Sequence, residues 1–178
     1  MHQLTEEIMA SKEWRIRELE ALKKIGIIAL NEYPLREQQQ YYRMCIPYIY
    51  AHWEGFVVES FKLLITYLNN EQLDKKNVIN ELYTFSLQKV LKPLAGKQSF
   101  EQSYQFVEKF VMNNCVEKYK SDINQLVNER NSIAHGENGI IIEKNHVSNE
   151  IAMLQEAFDM IVLEFENYLS QKLYLKSV

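Results

Sequence analysis

The sequence predicts an all-α fold, an up-and-down antiparallel helical bundle. Three observations predict it. Apolar residues recur at helical spacing along most of the chain. The 178 residues include only five Gly and three Pro, too few turn residues for an all-β fold. An apolar content of 47% is enough for one core in a chain of single-domain length. Residues 1–178 therefore read as one domain.

The first helix is expected over about residues 5–31, with Thr5 as N-cap and Glu6 and Glu7 in the first turn. Tyr33-Pro34 breaks it. The second, over about 35–69, is the richest in apolar residues. Ile46, Ile49, Trp53, Phe56, Leu63 and Tyr67 fall at spacings of three, four and seven. Tyr50, Val57, Leu64 and Leu68 widen that stripe past half the circumference, which predicts a central helix. Pro47 should kink it or begin a new first turn. Gly55 costs about 1 kcal/mol against Ala in mid-helix, so a neighbour is expected to pack closely there.

Asn69-Asn70 ends that helix. Residues 71–115 read as a helical insertion or lid, with helices near 78–92 and 100–113 and a loop at 92–97. A further helix over about 116–135 ends at Gly136 as its C′ residue. Ile140-Ile141-Ile142 reads as an extended connector. Ser148 is expected to cap the last helix, where Ile151, Leu154, Phe158, Ile161, Phe165 and Tyr168 form a narrow seam.

Composition and motifs exclude several functions. No G-x-x-x-x-G-K or G-x-G-x-x-G string is present, which removes P-loop and Rossmann nucleotide chemistry. A net charge of −4 argues against a broad basic surface for coating nucleic acid, but not against a local cationic site. Cys45 and Cys115 make no disulfide framework and read as free buried thiols. His and Cys lack metal-site spacing, so neither metal nor cofactor is expected. The polar N-terminus is not a signal peptide, and no run approaches the ~18 apolar residues of a membrane span. The expected compartment is the reducing cytoplasm, with no membrane partner.

One position stands out. On a wheel with Ile123 at zero, Leu126, Val127, Ile133 and Ala134 fall within about 80° of it, and Arg130 falls at about 340°, amid that stripe. An arginine there must be paired, ligated or at an interface. Asn131 and His135 sit side by side on the flank as an i,i+4 pair. The bland readings are a snorkelling or salt-bridged Arg130 and a His135 that only meets the helix dipole.

Arg130-Asn-Ser-Ile-Ala-His135 resembles the Arg-x4-6-His signature of the HEPN superfamily. The stretch Tyr50-Ala51-His52-Trp53-Glu54-Gly55-Phe56, on the helix with Arg43, resembles a stand-alone bacterial HEPN subgroup with an Ala-His-Trp-Glu-Gly-Phe string in an early long helix. Residues 41–68 and 120–137 carry the resemblance. It implies a HEPN-like bundle that homodimerises, so that two Arg-x4-6-His motifs form one composite cleft. It also implies a metal-independent endoribonuclease, often a toxin or phage-defence effector with a cognate antitoxin. Carried over residue by residue, Arg130 and His135 would be catalytic and Asn131 the polar residue after the arginine. Some members carry Tyr two residues after the His. Glu137 stands there in this chain, which argues against tyrosine nucleotidylation at that position.

The chemistry suits these residue types. Metal-free RNA cleavage needs a base at the ribose 2′-OH, an acid at the 5′ leaving oxygen and a cation on the phosphate. Histidine serves as acid or base near neutral pH, and arginine offers a fork for phosphate oxygens. One protomer supplies one histidine, and a two-fold partner would supply the second. Supporting or substrate-binding roles fall to Glu54, Arg43 and His52. Glu54 is expected to pair with Arg130 or Arg43 across the bundle. His52 reads first as a core histidine, and Trp53 and Phe56 as core. Tyr41 and Tyr42 could stack on bases but read first as core. The alternative function is a non-catalytic HEPN-like module that binds RNA, a nucleotide or a protein. A third reading is a structural dimeric protein with Arg130 in a buried ion pair.

Overall fold

The structure is a computed structural model that describes residues 3–24, 30–71, 77–79, 111–137 and 139–176. Among the described residues four α-helices run in order: α1 Gln3–Leu22, α2 Leu35–Asn70, α3 Asn113–Ala134 and α4 Lys144–Ser170, with a 3-10 turn at Leu30–Glu32 before α2. The all-α expectation holds.

Contacts between the helices show their directions. Ser11 and Arg15 reach Glu59 while Glu18 reaches Tyr48, so α1 and α2 are antiparallel. Arg43 meets Glu137 and Tyr50 meets Arg130, so α2 and α3 are antiparallel. Asn114 meets Glu164 and Glu129 meets His146, so α3 and α4 are antiparallel. The bundle is up-and-down. Helices α2 and α4 each touch the other three, which makes them its diagonal. Trp53 and Phe56 of α2 close on Phe158 of α4 at ring distances of 6.4 and 4.3 Å. The wide apolar face of α2 needs three neighbours, and a diagonal position supplies them.

Several local expectations are corrected. Thr5 is no N-cap: α1 starts at Gln3 and Thr5 is buried within it. Pro47 starts no new helix, because α2 is continuous through it. Ser148 is also internal. Helix α4 starts at Lys144, and the Ser148 hydroxyl donates back to the Lys144 carbonyl, a known alternative to capping. Val78 begins no helix. It forms an isolated antiparallel bridge with Leu175, so this stretch is pinned to the chain's last described turn. Residues 72–76 and 80–110 of the expected insertion, with nearly all of the helices near 78–92 and 100–113 and the 92–97 loop, lie outside the described residues, while 113–115 belong to α3 and not to an insertion. Cys45 and Cys115 are free and buried, as expected. Among the described residues no helix is long and apolar enough to cross a membrane.

Gly55 has the close neighbour its position implies. A Cβ there would lie 2.7 Å from Arg15 Nη1. Arg15 is held by Glu59 at 2.8 Å and lies over the Trp14 ring at 4.2 Å, so α1 packs on α2 through a fixed guanidinium.

Candidate functional site

The site is built where α3 ends against α2. The buried stripe of α3 runs through Cys115, Val116, Tyr119, Ile123 and Leu126, and goes no further. Val127, Arg130 and Ile133 are half-buried and Ala134 is exposed. The wheel placed Arg130 amid an apolar stripe. The structure puts it where that stripe opens, so its charge escapes full burial.

Tyr50 of α2 forms the floor. The Arg130 guanidinium lies 4.9 Å from the centre of its ring, a cation–π geometry. Arg130 Nη1 also donates to Asn131 Oδ1 at 2.8 Å. These two contacts aim the guanidinium without using all five donors. Among the described residues no carboxylate pairs with Arg130. The expected Glu54 partner is absent: Glu54 is half-buried and bonds neither Arg130 nor Arg43. Among the described residues, then, no Glu54–Arg130 pair of the kind the structural reading invoked is present.

His135 is the C-cap of α3 and is exposed. The turn after it is a Schellman motif. Gly136 N–H donates to the Ile133 carbonyl at 3.1 Å and Glu137 N–H to the Ser132 carbonyl at 3.0 Å. Gly136 has φ +80, which glycine adopts without strain. The helix therefore stops at Ala134, one residue before His135, and leaves the imidazole at its open end. Arg43 Nη2 donates to the Glu137 carbonyl, tying this turn to α2. Gln39 Oε1 accepts from Ile142 N–H at 3.2 Å, which holds the expected 140–142 connector along the same helix.

Positions along α2 sort the other candidates. Tyr50 and Glu54 each lie about 20° from Arg43 on the wheel, on either side of it, whereas His52 lies about 180° from Arg43. His52 faces α1. It is 5% exposed, packs against Trp14 and Tyr48, and its Nε2 is 3.4 Å from Glu18 Oε2. Burial, then Arg15, lowers its pKa, with Glu18 opposing. The geometry is that of the core histidine the sequence also suggested, set apart from Arg130. Tyr42 is buried and Tyr41 half-buried, in keeping with their core reading.

Sequence reasoning missed two features. Tyr50 is buried in the core, as its place in the stripe predicts, but that stripe does not show that its ring lies beneath Arg130. The other is a cluster of one histidine and two acids: His146 Nε2 lies 2.7 Å from Glu129 Oε2 and 3.8 Å from Glu150 Oε1. Only the i,i+4 spacing of His146 and Glu150 hinted at it. Among the described residues no group of three or more His, Cys, Asp or Glu is arranged to hold a metal ion.

Residues 10–167 match the protein-family model described as RiboL-PSP-HEPN. No curated protein and no solved structure matches the chain.

Proposed function

The chain belongs to the RiboL-PSP-HEPN family, and from that premise we propose that it is a metal-independent endoribonuclease acting as a toxin or phage-defence effector. The observation that carries the reading is Arg130. It is held over Tyr50 and bonded to Asn131, has no carboxylate partner among the described residues, and lies five residues, about one and a half helical turns, from an exposed His135. A guanidinium fixed this way but not neutralised suits a phosphate that gains charge in the transition state.

In the proposed reaction a base takes the ribose 2′-OH proton. The oxygen attacks the adjacent phosphorus and forms a 2′,3′-cyclic phosphate. The P–O5′ bond breaks and an acid protonates the leaving oxygen. His135 supplies one proton-transfer group, and His135 of a second copy across a two-fold axis supplies the other. Arg130 binds the non-bridging oxygens, and Asn131 orients the guanidinium. RNA is the substrate, the working unit is a homodimer, and a cognate antitoxin is the expected kind of regulator.

The test is cleavage of a labelled RNA by purified protein in EDTA, with Arg130→Ala and His135→Ala alongside. Wild type is expected to leave 2′,3′-cyclic ends, and each variant to lose at least about 100-fold in rate. Equal cleavage by all three would overturn the reading. RNA binding without cleavage by wild type would instead mark the non-catalytic binding module.

A further inference from the structure

Beside the Arg130–His135 turn lies an open groove of about 570 Å³. The first two turns or so of α2 contribute Leu35, Arg36, Gln40 and Arg43, and the connector after α3 contributes Ile140 and Ile141. We infer that this groove is a binding subsite for the RNA strand flanking the scissile phosphate, with Arg36 as its outer phosphate contact. The inference rests on the ribonuclease reading above and extends it to how substrate is held.

Three features support it. The first is charge. The chain carries −4 overall, yet this groove is lined by two arginines and no carboxylate among the described residues. The second is spacing. Arg36, Arg43 and Tyr50 recur every seven residues on one face of α2, a rise of about 10 Å per step. At about 3.4 Å per stacked nucleotide, each step spans roughly three nucleotides, and the third position is the ring on which Arg130 rests. The third is the wall. Leu35 and Ile141 are 73% and 76% exposed, apolar surface that can pack against base faces while the arginines meet phosphates.

A second copy of this chain fits the groove less well. A two-fold contact centred here would set Arg36 and Arg43 against their own copies with no acid in the lining to answer them. A polyanion meets that charge directly.

The experiment measures binding of a fluorescent 15-nucleotide 2′-O-methyl RNA, which binds but lacks the attacking hydroxyl, across a salt series. Arg36→Ala is expected to weaken affinity about fivefold at 0.1 M salt and to reduce the log–log salt slope by about 0.7, the share of one single-strand phosphate contact. Arg17→Ala, the same charge loss on exposed α1, is expected to change neither. Gln40→Ala tests the groove without a charge change and is expected to weaken binding with the slope unchanged. Arg36→Ala indistinguishable from wild type, or matched by Arg17→Ala, overturns the inference even if the protein cleaves RNA. Wild type that binds but never cleaves overturns the nuclease reading and leaves the subsite standing if the Arg36 effect appears. Dimerisation lost in Arg36→Ala, with binding unchanged per dimer, would assign the groove to a copy of the chain and overturn the inference.

Discussion

Gly136 and Lys172 hold the same position in two equivalent turns. Each is the C′ residue of a Schellman motif, with φ of +80 and +50. After α4, Lys172 N–H meets the Leu169 carbonyl at 3.1 Å and Leu173 N–H meets Tyr168 at 3.0 Å, the pattern seen after α3. A side chain in this region is strained where glycine is not. Gly136→Ala is expected to lower stability by about 1 kcal/mol in urea denaturation, and Lys172→Gly to raise it by about 0.5 kcal/mol. Opposite signs would contradict the strain argument. Gly136 was readable in advance because a glycine follows a helical pattern. Lys172 was not, because nothing in its residue type marks a left-handed turn. The Arg130–His135 spacing is a sequence feature whose weight comes from the apolar stripe around it and the resemblance it carries, whereas the ring beneath Arg130 is visible only in the structure.

Gly55 shows the limit at the scale of the element. Gly→Ala in an open helix gains about 1 kcal/mol. In α2 the added methyl would meet the Arg15 guanidinium, which Glu59 and Trp14 hold in place. Gly55→Ala is therefore expected to destabilise by about 1–3 kcal/mol, as overpacking does, read as a lower thermal midpoint. A rise would mean that Arg15 moves aside. The sequence implied a close neighbour at Gly55 but could not say which helix brings it. Helix starts were the least legible feature. Thr5 and Ser148 have the right residue type for capping but lie inside their helices. The N-terminus of α3 is served from outside: the Glu164 carboxylate on α4 accepts from Asn114 and Cys115 N–H at 2.8 and 3.2 Å. Those two donors lack intrahelical partners, and a carboxylate also suits the positive end of the helix dipole. Burial pushes the Glu164 pKa up while these hydrogen bonds oppose it.

Across the whole molecule, α3 and α4 are clasped by Glu129, His146 and Glu150, and the clasp has a pH signature. Burial, first, and then Glu129 and Asp122 raise the Glu150 pKa to about 7, while His146 opposes. The folded state thus binds a proton that the unfolded chain has lost, between about pH 4.5 and 7. Stability from this group falls as pH rises through that window. Glu150→Gln is expected to be more stable than wild type at pH 8, on the order of 1–3 kcal/mol, with the difference vanishing near pH 4.5. Chemical denaturation at several pH values measures it, and a constant difference would refute it. His52, its pKa lowered by burial, acts in the opposite sense and is common to both proteins, so the comparison cancels it. The sequence by itself determined the helical class, the breadth of the α2 face, the end of α3 at Gly136 and the Arg130–His135 spacing. Each of these is a relation within a few turns of one helix, and periodicity records such relations directly. Tertiary structure decided what stands opposite each residue: Tyr50 beneath Arg130, Arg43 on the Glu137 carbonyl, Glu164 at the start of α3, and no acid on Arg130 among the described residues. The first three join residues 50 or more positions apart, and only the packing of whole helices brings such pairs together.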